Sequence, residues 1–232
     1  MTTSIWMRPE RAAVGRPAQR SRAGITAAAV GIADREGLDA VSMRRVAAEL
    51  GTGAASLYRY VETREDLLDL MTDAVGGEYL LPEPSGDWLA DLVAFGEQSR
   101  TIMLRHPWVA GLIVTRPVLG PNGIAMLEHV LAVLEPHPAS LVTKLEAFAT
   151  LNGICALFVQ HELAGGSALH NRNVAYLQHA VASGKHPRLT RLLTQDAAAT
   201  AAAGAYDPAD TYGYLLARIL TGLLDGAPGR PG

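Results

Sequence analysis

Gly51 constrains this chain more than any other single residue, because it joins two short runs of helical character, SMRRVAAEL (42–50) and AASLYRYV (54–61). Two helices crossing tightly across a turn need three things. They need a residue that accepts positive φ, a small residue where the second helix approaches, and apolar residues that hold the crossing angle. Gly51, Ala47 and the set Val46, Leu50 and Leu57 supply them. The spacing predicts a helix-turn-helix unit rather than an ordinary helical hairpin. The second helix, barely two turns long, carries more polar and aromatic groups than a packing element needs.

The flanking sequence extends that unit in both directions. AGITAAAVGIADREG places Ile25, Ala28, Ala29, Ile32 and Ala33 on one face at helical spacing and stops at Gly37, a residue suited to terminate a helix. Ser42 is the expected N-cap of the next helix. After the second short run, Thr63 is the expected cap of a longer helix, with Glu65 and Asp66 in its first turn where the helix dipole favours acids. Pro82 and Pro84 end it. Beyond them, amphipathic stretches are predicted over 88–105, 108–114, 122–134, 140–162, 174–182, 187–195 and 208–224, each bounded by Pro, Gly or His-Pro. AAATAAAGA (197–205) reads as either helix or loop. Period-2 alternation is missing almost everywhere, so the fold class is all-α.

The stretches 140–162 and 208–224 carry more apolar residues than one buried stripe requires, and so need partners on more than one side. The lone cysteine, Cys155, lies inside the first of them, which rules out an intrachain disulfide and suggests a buried, inert thiol. No signal-peptide core or uninterrupted apolar window of about 18 residues is recognised, so no membrane partner is predicted and a cytoplasmic location is expected.

The net charge of −3 hides an asymmetry. Residues 1–64 hold ten arginines against six acids, and the remainder is acidic. A basic front segment suggests a polyanionic partner, because Lys and Arg gain affinity by displacing counterions from phosphates. Residues 1–22 carry Arg8, Arg11, Arg16, Arg20 and Arg22 among Pro and Gly, and read as a disordered basic arm. A nucleotide-binding reading of GTGAAS fails on context: the glycine fingerprint needs a strand before it and a long helix after it. No paired acid/base or nucleophile constellation is present, and the seven histidines have no metal-ligand spacing, so no enzyme, cofactor or metal site is expected.

Residues 24–71, above all SMRRVAAELGTGAASLYRYVETREDLLDLM, resemble the DNA-binding domain of the tetracycline-repressor (TetR) family of bacterial transcription regulators. Arg-x-Val-Ala-x-x-Leu-Gly, Ser-Leu-Tyr-x-Tyr-Val and Arg-x-x-Leu-Leu all fall at the family's spacing. The Thr-Arg-Pro at 115–117 and the final apolar helices resemble the tetracycline repressor's effector domain more loosely. The resemblance implies a basic arm over 1–22, a DNA-binding domain over 23–70, an effector-binding and dimerisation domain over 71–226, and a flexible tail over 227–232. It further implies a homodimer on palindromic double-stranded DNA, released by a small-molecule effector.

On that resemblance Thr52 to Tyr60 would be the recognition helix. Ser56, Arg59 and Arg44 would reach bases or nearby phosphates, and Ser42, Tyr58, Tyr60 and Arg64 would hold phosphates. Gly53, Ala54 and Ala55 would offer backbone and methyl contacts. The implied effector pocket comprises Leu80, Phe95, Ser99, Leu112, Thr115, Phe148, Asn152 and Phe158. Leu112 stands where tetracycline binders carry a metal-holding histidine, and Gln160 falls near their acidic metal partner; the effector is therefore expected to be more apolar and metal-free. Leu145, Cys155, Leu216 and Leu220 are implied at the dimer interface. Readings left open are a DNA-binding activator, a regulator with no effector, and, more remotely, an all-α carrier or enzyme without DNA binding.

Overall fold

A computed structural model describes residues 4–9, 21–116, 118–164, 176, 179–188, 190–191 and 208–226. Among these, every regular element is helical, in agreement with the all-α reading. The predicted helices over 174–182 and 187–195 lie partly outside the described residues, and the stretch 197–205 and the tail 227–232 lie outside them altogether.

Three helices form the head. In α1 (Arg22–Glu36), Ile25, Ala29, Ile32 and Ala33 are buried as their spacing predicts, and Gly37 ends the helix at φ 86°. Ser42 caps α2 (Met43–Glu49) by accepting a hydrogen bond from the Arg45 N–H at 3.1 Å. Gly51 takes φ 60°, and the N–H groups of Gly51 and Thr52 bond the carbonyls of Ala48 and Ala47. This is a Schellman closure, which only a left-handed residue at that point permits. The chain then enters α3 (Ala54–Leu57), one α-turn that a tighter bond from Tyr60 and an α-type bond from Val61, both back to Leu57, carry on to Val61.

α4 (Arg64–Gly76) belongs to both halves of the molecule. It starts on a capping box between Thr63 and Asp66, packs on α1 in the head, and ends against α6 (Pro107–Thr115) and α7 (Pro121–Val133) in the body. The body is completed by α5 (Trp88–Arg105), α8 (Leu141–Leu163) and α9 (Pro208–Leu224). Gly96 lets α5 and α9 approach closely, since a side chain there would strike Leu216. By length and composition α8 could cross a membrane. Its packing against α5, α6 and α9 makes it the central helix of the body instead.

Residues 4–9 depart from the predicted mobile arm. Ile5 is buried within a short 3-10 turn, Arg8 pairs with Glu62 at 2.7 Å and also with Asp66, and Arg22 opens α1 rather than ending the arm. The Arg22 guanidinium donates to the carbonyls of Ile5, Arg8 and Tyr60. Carboxylates at the start of α4 thus draw one of the arm's arginines into the fold.

Candidate nucleic-acid interface and internal cavity

The turn at Gly51 aims α3 outward. Leu57, Tyr60 and Val61 point into the head's core, leaving Gly53, Ala55, Tyr58 and Arg59 exposed and Thr52, Ala54 and Ser56 half-buried. Arg44 and Ser42 are exposed on α2, and Arg64 stands exposed at the start of α4 with its Nε 3.4 Å from the Val41 carbonyl. Tyr60 corrects the sequence expectation. Only 6% exposed and three residues from Leu57, it packs into the head's core and leaves little of its surface to a phosphate.

Electrostatics separates the arginines further. Arg45 is held by Glu36 at 2.6 Å and Glu49 at 2.8 Å, and Arg35 also pairs with Glu49. Those hydrogen bonds keep both carboxyls below the usual carboxylate range and push the guanidinium higher still. The Arg44 and Arg59 guanidinium groups make no hydrogen bond or ion pair with any described residue. Their charge is therefore available to an outside anion. The Ser42 hydroxyl accepts within the cap and keeps its proton for donation.

The body contains a cavity of about 610 Å³ between α4, α5, α6, α7 and α8. Its walls are mainly apolar: Val75, Ile102, Val109, Ile113, Met126 and Phe148 contribute, and the half-exposed Val114, Leu119 and Leu157 frame the opening. Polar groups are few. Asn152 donates to the Phe148 carbonyl at 2.9 Å and keeps its own carbonyl oxygen for a ligand, Tyr79 donates to Ser99 at 2.9 Å, and Gln160 stands exposed at the edge. Among the described residues, Asp73 is the one lining carboxylate and no lining residue is Lys, Arg or His.

Of the eight implied effector residues, Phe148 and Asn152 line this cavity and six do not. Leu80 is largely exposed beside a smaller depression that it shares with Phe95. Ser99 is fully buried behind Tyr79, and Leu112 is buried in α6. Phe158 stacks edge-on against Tyr212, and the exposed Thr115 bonds back to the Gly111 carbonyl. Position within a helix decided these outcomes: a shift of one or two residues turns a side chain by 100° or more. Asp73, Tyr79 and Met126 were missed. The helical period places Asp73 and Met126 inward without showing that a space adjoins them, and Tyr79 follows the end of α4, where no period can be read.

The implied dimer residues need a similar correction. Cys155, Leu216 and Leu220 are fully buried inside the protomer, where α8 meets α5 and α9, and only Leu145 is exposed. Among the described residues, the large apolar groups left bare on these helices are Leu141, Val142, Leu145, Leu157 and Leu163 of α8 and Tyr214 of α9.

An outward-facing short helix behind a glycine turn, carried by a helix that also walls an apolar cavity, defines a helix-turn-helix regulator with a separate ligand-sized compartment. Comparison with known proteins agrees. Residues 25–71 match the model of bacterial regulatory proteins of the tetR family, and residues 81–225 match that of the tetracyclin repressor-like C-terminal domain. The chain belongs to the TetR family. It is 35% identical over 212 residues to the HTH-type transcriptional repressor DrrR1 of Streptomyces coeruleorubidus, which aligns 86% of this chain with 75% of that one. A Saccharopolyspora erythraea HTH-type transcriptional regulator is 44% identical over 132 residues, about half of each chain at 56%. Apo ActR from Streptomyces coelicolor superposes with a TM-score of 0.77 at 30% identity over 91% of this chain and 98% of that one. ActR in complex with actinorhodin gives 0.74 at 30% identity, over 92% and 100%. These relatives are regulators, not enzymes.

Proposed function

We propose that the protein is a homodimeric cytoplasmic repressor that holds a palindromic operator and releases it when a small, largely apolar and uncharged effector enters the 610 Å³ cavity. One observation carries this reading. α4 opens beside the reading helix and closes as a wall of the cavity, so whatever fills the cavity acts on the element that positions the head. The solved ActR complexes with actinorhodin and (S)-DNPA support a ligand-binding body in this fold.

The effector class follows from the walls. Burying an ion costs several kcal/mol unless a partner neutralises it, and no cationic side chain lines the described cavity. The ligand is therefore apolar and carries no anionic group, with a hydroxyl or amide N–H that can donate to the Asn152 carbonyl oxygen.

Dimerisation is supported by the bare apolar faces of α8 and α9. A single head spans only a few base pairs, and pairing sets two reading helices about 34–36 Å apart or somewhat more on the duplex. The test is release of a promoter duplex, selected in vitro for binding, by a panel of uncharged aromatic compounds and their carboxylate counterparts. Uncharged members are expected to lower duplex affinity at least tenfold. Unchanged affinity across the panel would remove the ligand-responsive part of the reading.

A further inference from the structure

The cavity wall contains a joint between α4 and α7. α7 starts at Gly120-Pro121, so its N-cap residue has no side chain and its first helical residue has no N–H. The next two N–H groups, from Asn122 and Gly123, need an acceptor. They find it on another helix: both donate to Asp73 Oδ1 of α4 at 3.0 Å. The Asn122 amide adds bonds to the Asp73 carbonyl at 2.9 Å and to Oδ2 at 3.2 Å.

Nor could α7 supply its own cap. A side chain at position 120 would strike both the Asp73 carboxylate and the Trp6 ring, so the glycine is needed for the close approach. Asp73, only 7% exposed, also sits between two spaces: it lines the large cavity on one side and, on the other, a groove bounded by Trp6, α1 and Asn122. Gly76, Gly123 and Met126, which flank this joint on α4 and α7, line the large cavity too.

We infer that Asp73 is the positioning residue that ties α4 to α7 by capping the second helix from the first, and that this cap carries cavity occupancy to the DNA-reading head. The inference rests on the cavity being the effector site. A ligand seated between α4 and α7 cannot part them without stretching bonds to two backbone N–H groups. Because these bonds need short distances and good alignment, the cap holds one α4 position and gives way sharply. Its carboxylate also gains from the N-terminal end of the α7 dipole, which a displaced α4 would forfeit.

The experiment measures duplex affinity with and without N-phenyl-1-naphthylamine, an uncharged fluorescent probe of apolar cavities, for the full chain and for D73A, D73N and N122A. Binding linkage requires that a probe which weakens DNA binding be weakened equally by DNA. In the wild type the probe is expected to lower duplex affinity at least tenfold. D73A should keep its helical circular dichroism, bind the duplex at least tenfold more weakly, and show the same duplex affinity with and without probe. D73N, which keeps an acceptor oxygen for the two N–H groups, should retain most of the coupling.

A folded D73A whose coupling equals that of the wild type would overturn the inference, because a merely structural cap would lower thermal stability and leave the coupling untouched. Should D73A lose its helical signal, N122A decides by the same criterion: its coupling falls if the joint transmits and is unchanged if it does not. A wild type indifferent to the probe would instead remove the cavity as the effector site, and this inference with it.

Discussion

Arg44 and Arg45 are adjacent in sequence and differ in what they have left to offer. Arg45 is committed to Glu36 and Glu49, whereas Arg44 meets no described acid. Arg44→Ala should therefore weaken operator binding and, as a phosphate or base-edge contact is lost, lower the salt dependence of log K by about one. Arg45→Ala should leave that slope unchanged; anisotropy titrations at several salt concentrations separate the two. Sequence goes only part of the way here. The inward register of Met43, Val46 and Ala47 turns both arginines outward, and Glu49 is recognisable four residues from Arg45, but Glu36 reaches it across a turn that no periodicity reveals. The tyrosines were more legible. Tyr60, at i+3 from the buried Leu57, shares its face, and its role as a phosphate holder came from the resemblance and not from the period.

Among the elements, the N-terminal segment and the junction of α5, α8 and α9 carry consequences that composition hides. Three residues of 3-10 turn leave no period to read, so Ile5 and Trp6 are lost among arginines and prolines. Deleting residues 1–9 should lower unfolding stability by about 1.5–3 kcal/mol from the lost burial of Ile5 alone, the usual value of a fully buried aliphatic side chain. Urea unfolding of the truncated chain checks this, and an unchanged midpoint would mean that the segment merely rests on the head.

At the junction, the Tyr212 hydroxyl donates to the Gly96 carbonyl at 2.8 Å and lies 2.8 Å from Cys155 Sγ, while Tyr79 bonds Ser99. Burial is the main cause that raises all three acids, Cys155, Tyr79 and Tyr212, above their ordinary values of 9.0 and 10.0. The sign follows directly. Below about pH 9 these groups are neutral in both folded and unfolded chains, and above it the unfolded chain ionises first. Stability is therefore fully present below pH 9 and falls as pH rises further, at up to about 1.4 kcal/mol per pH unit for each group. Thermal melts from pH 8 to 11 should show this decline, less steeply in Tyr212→Phe. The burial of Cys155 itself was readable from its apolar run; its position inside the protomer, rather than between protomers, was not. An over-apolar helix reports how many faces are covered, not which molecule covers them.

At the scale of the whole molecule, one helix joins the two activities. α4 takes its N-terminal cap beside the reading helix, contacts α6 through the Arg116–Asp69 pair at 2.8 Å, and gives Asp73 to the start of α7. A second tie runs from the head to the body through His106, whose ring nitrogens lie 2.8 Å from Asp34 and 2.9 Å from Glu78. Among the described residues, helix order and the head's turn were legible because each rests on local chemistry: caps, a left-handed glycine and a 3.6-residue period. The cavity was not, since it is the space that remains after five helices pack, and six of its eight expected residues fell elsewhere.

The bare faces of α8 and α9 and the outward groups of α3 converge on the central claim, that two copies of this chain read one duplex. The most direct measurement is the mass and affinity of the complex on a selected palindromic duplex, by light scattering and anisotropy, for the wild type and for Tyr58→Phe combined with Arg59→Ala. Both substituted residues are exposed, so folding should be unaffected. The prediction is two protomers per duplex for the wild type and loss of specific binding in the folded variant. A wild-type complex with one protomer, or a variant that binds as tightly as the wild type, would contradict it.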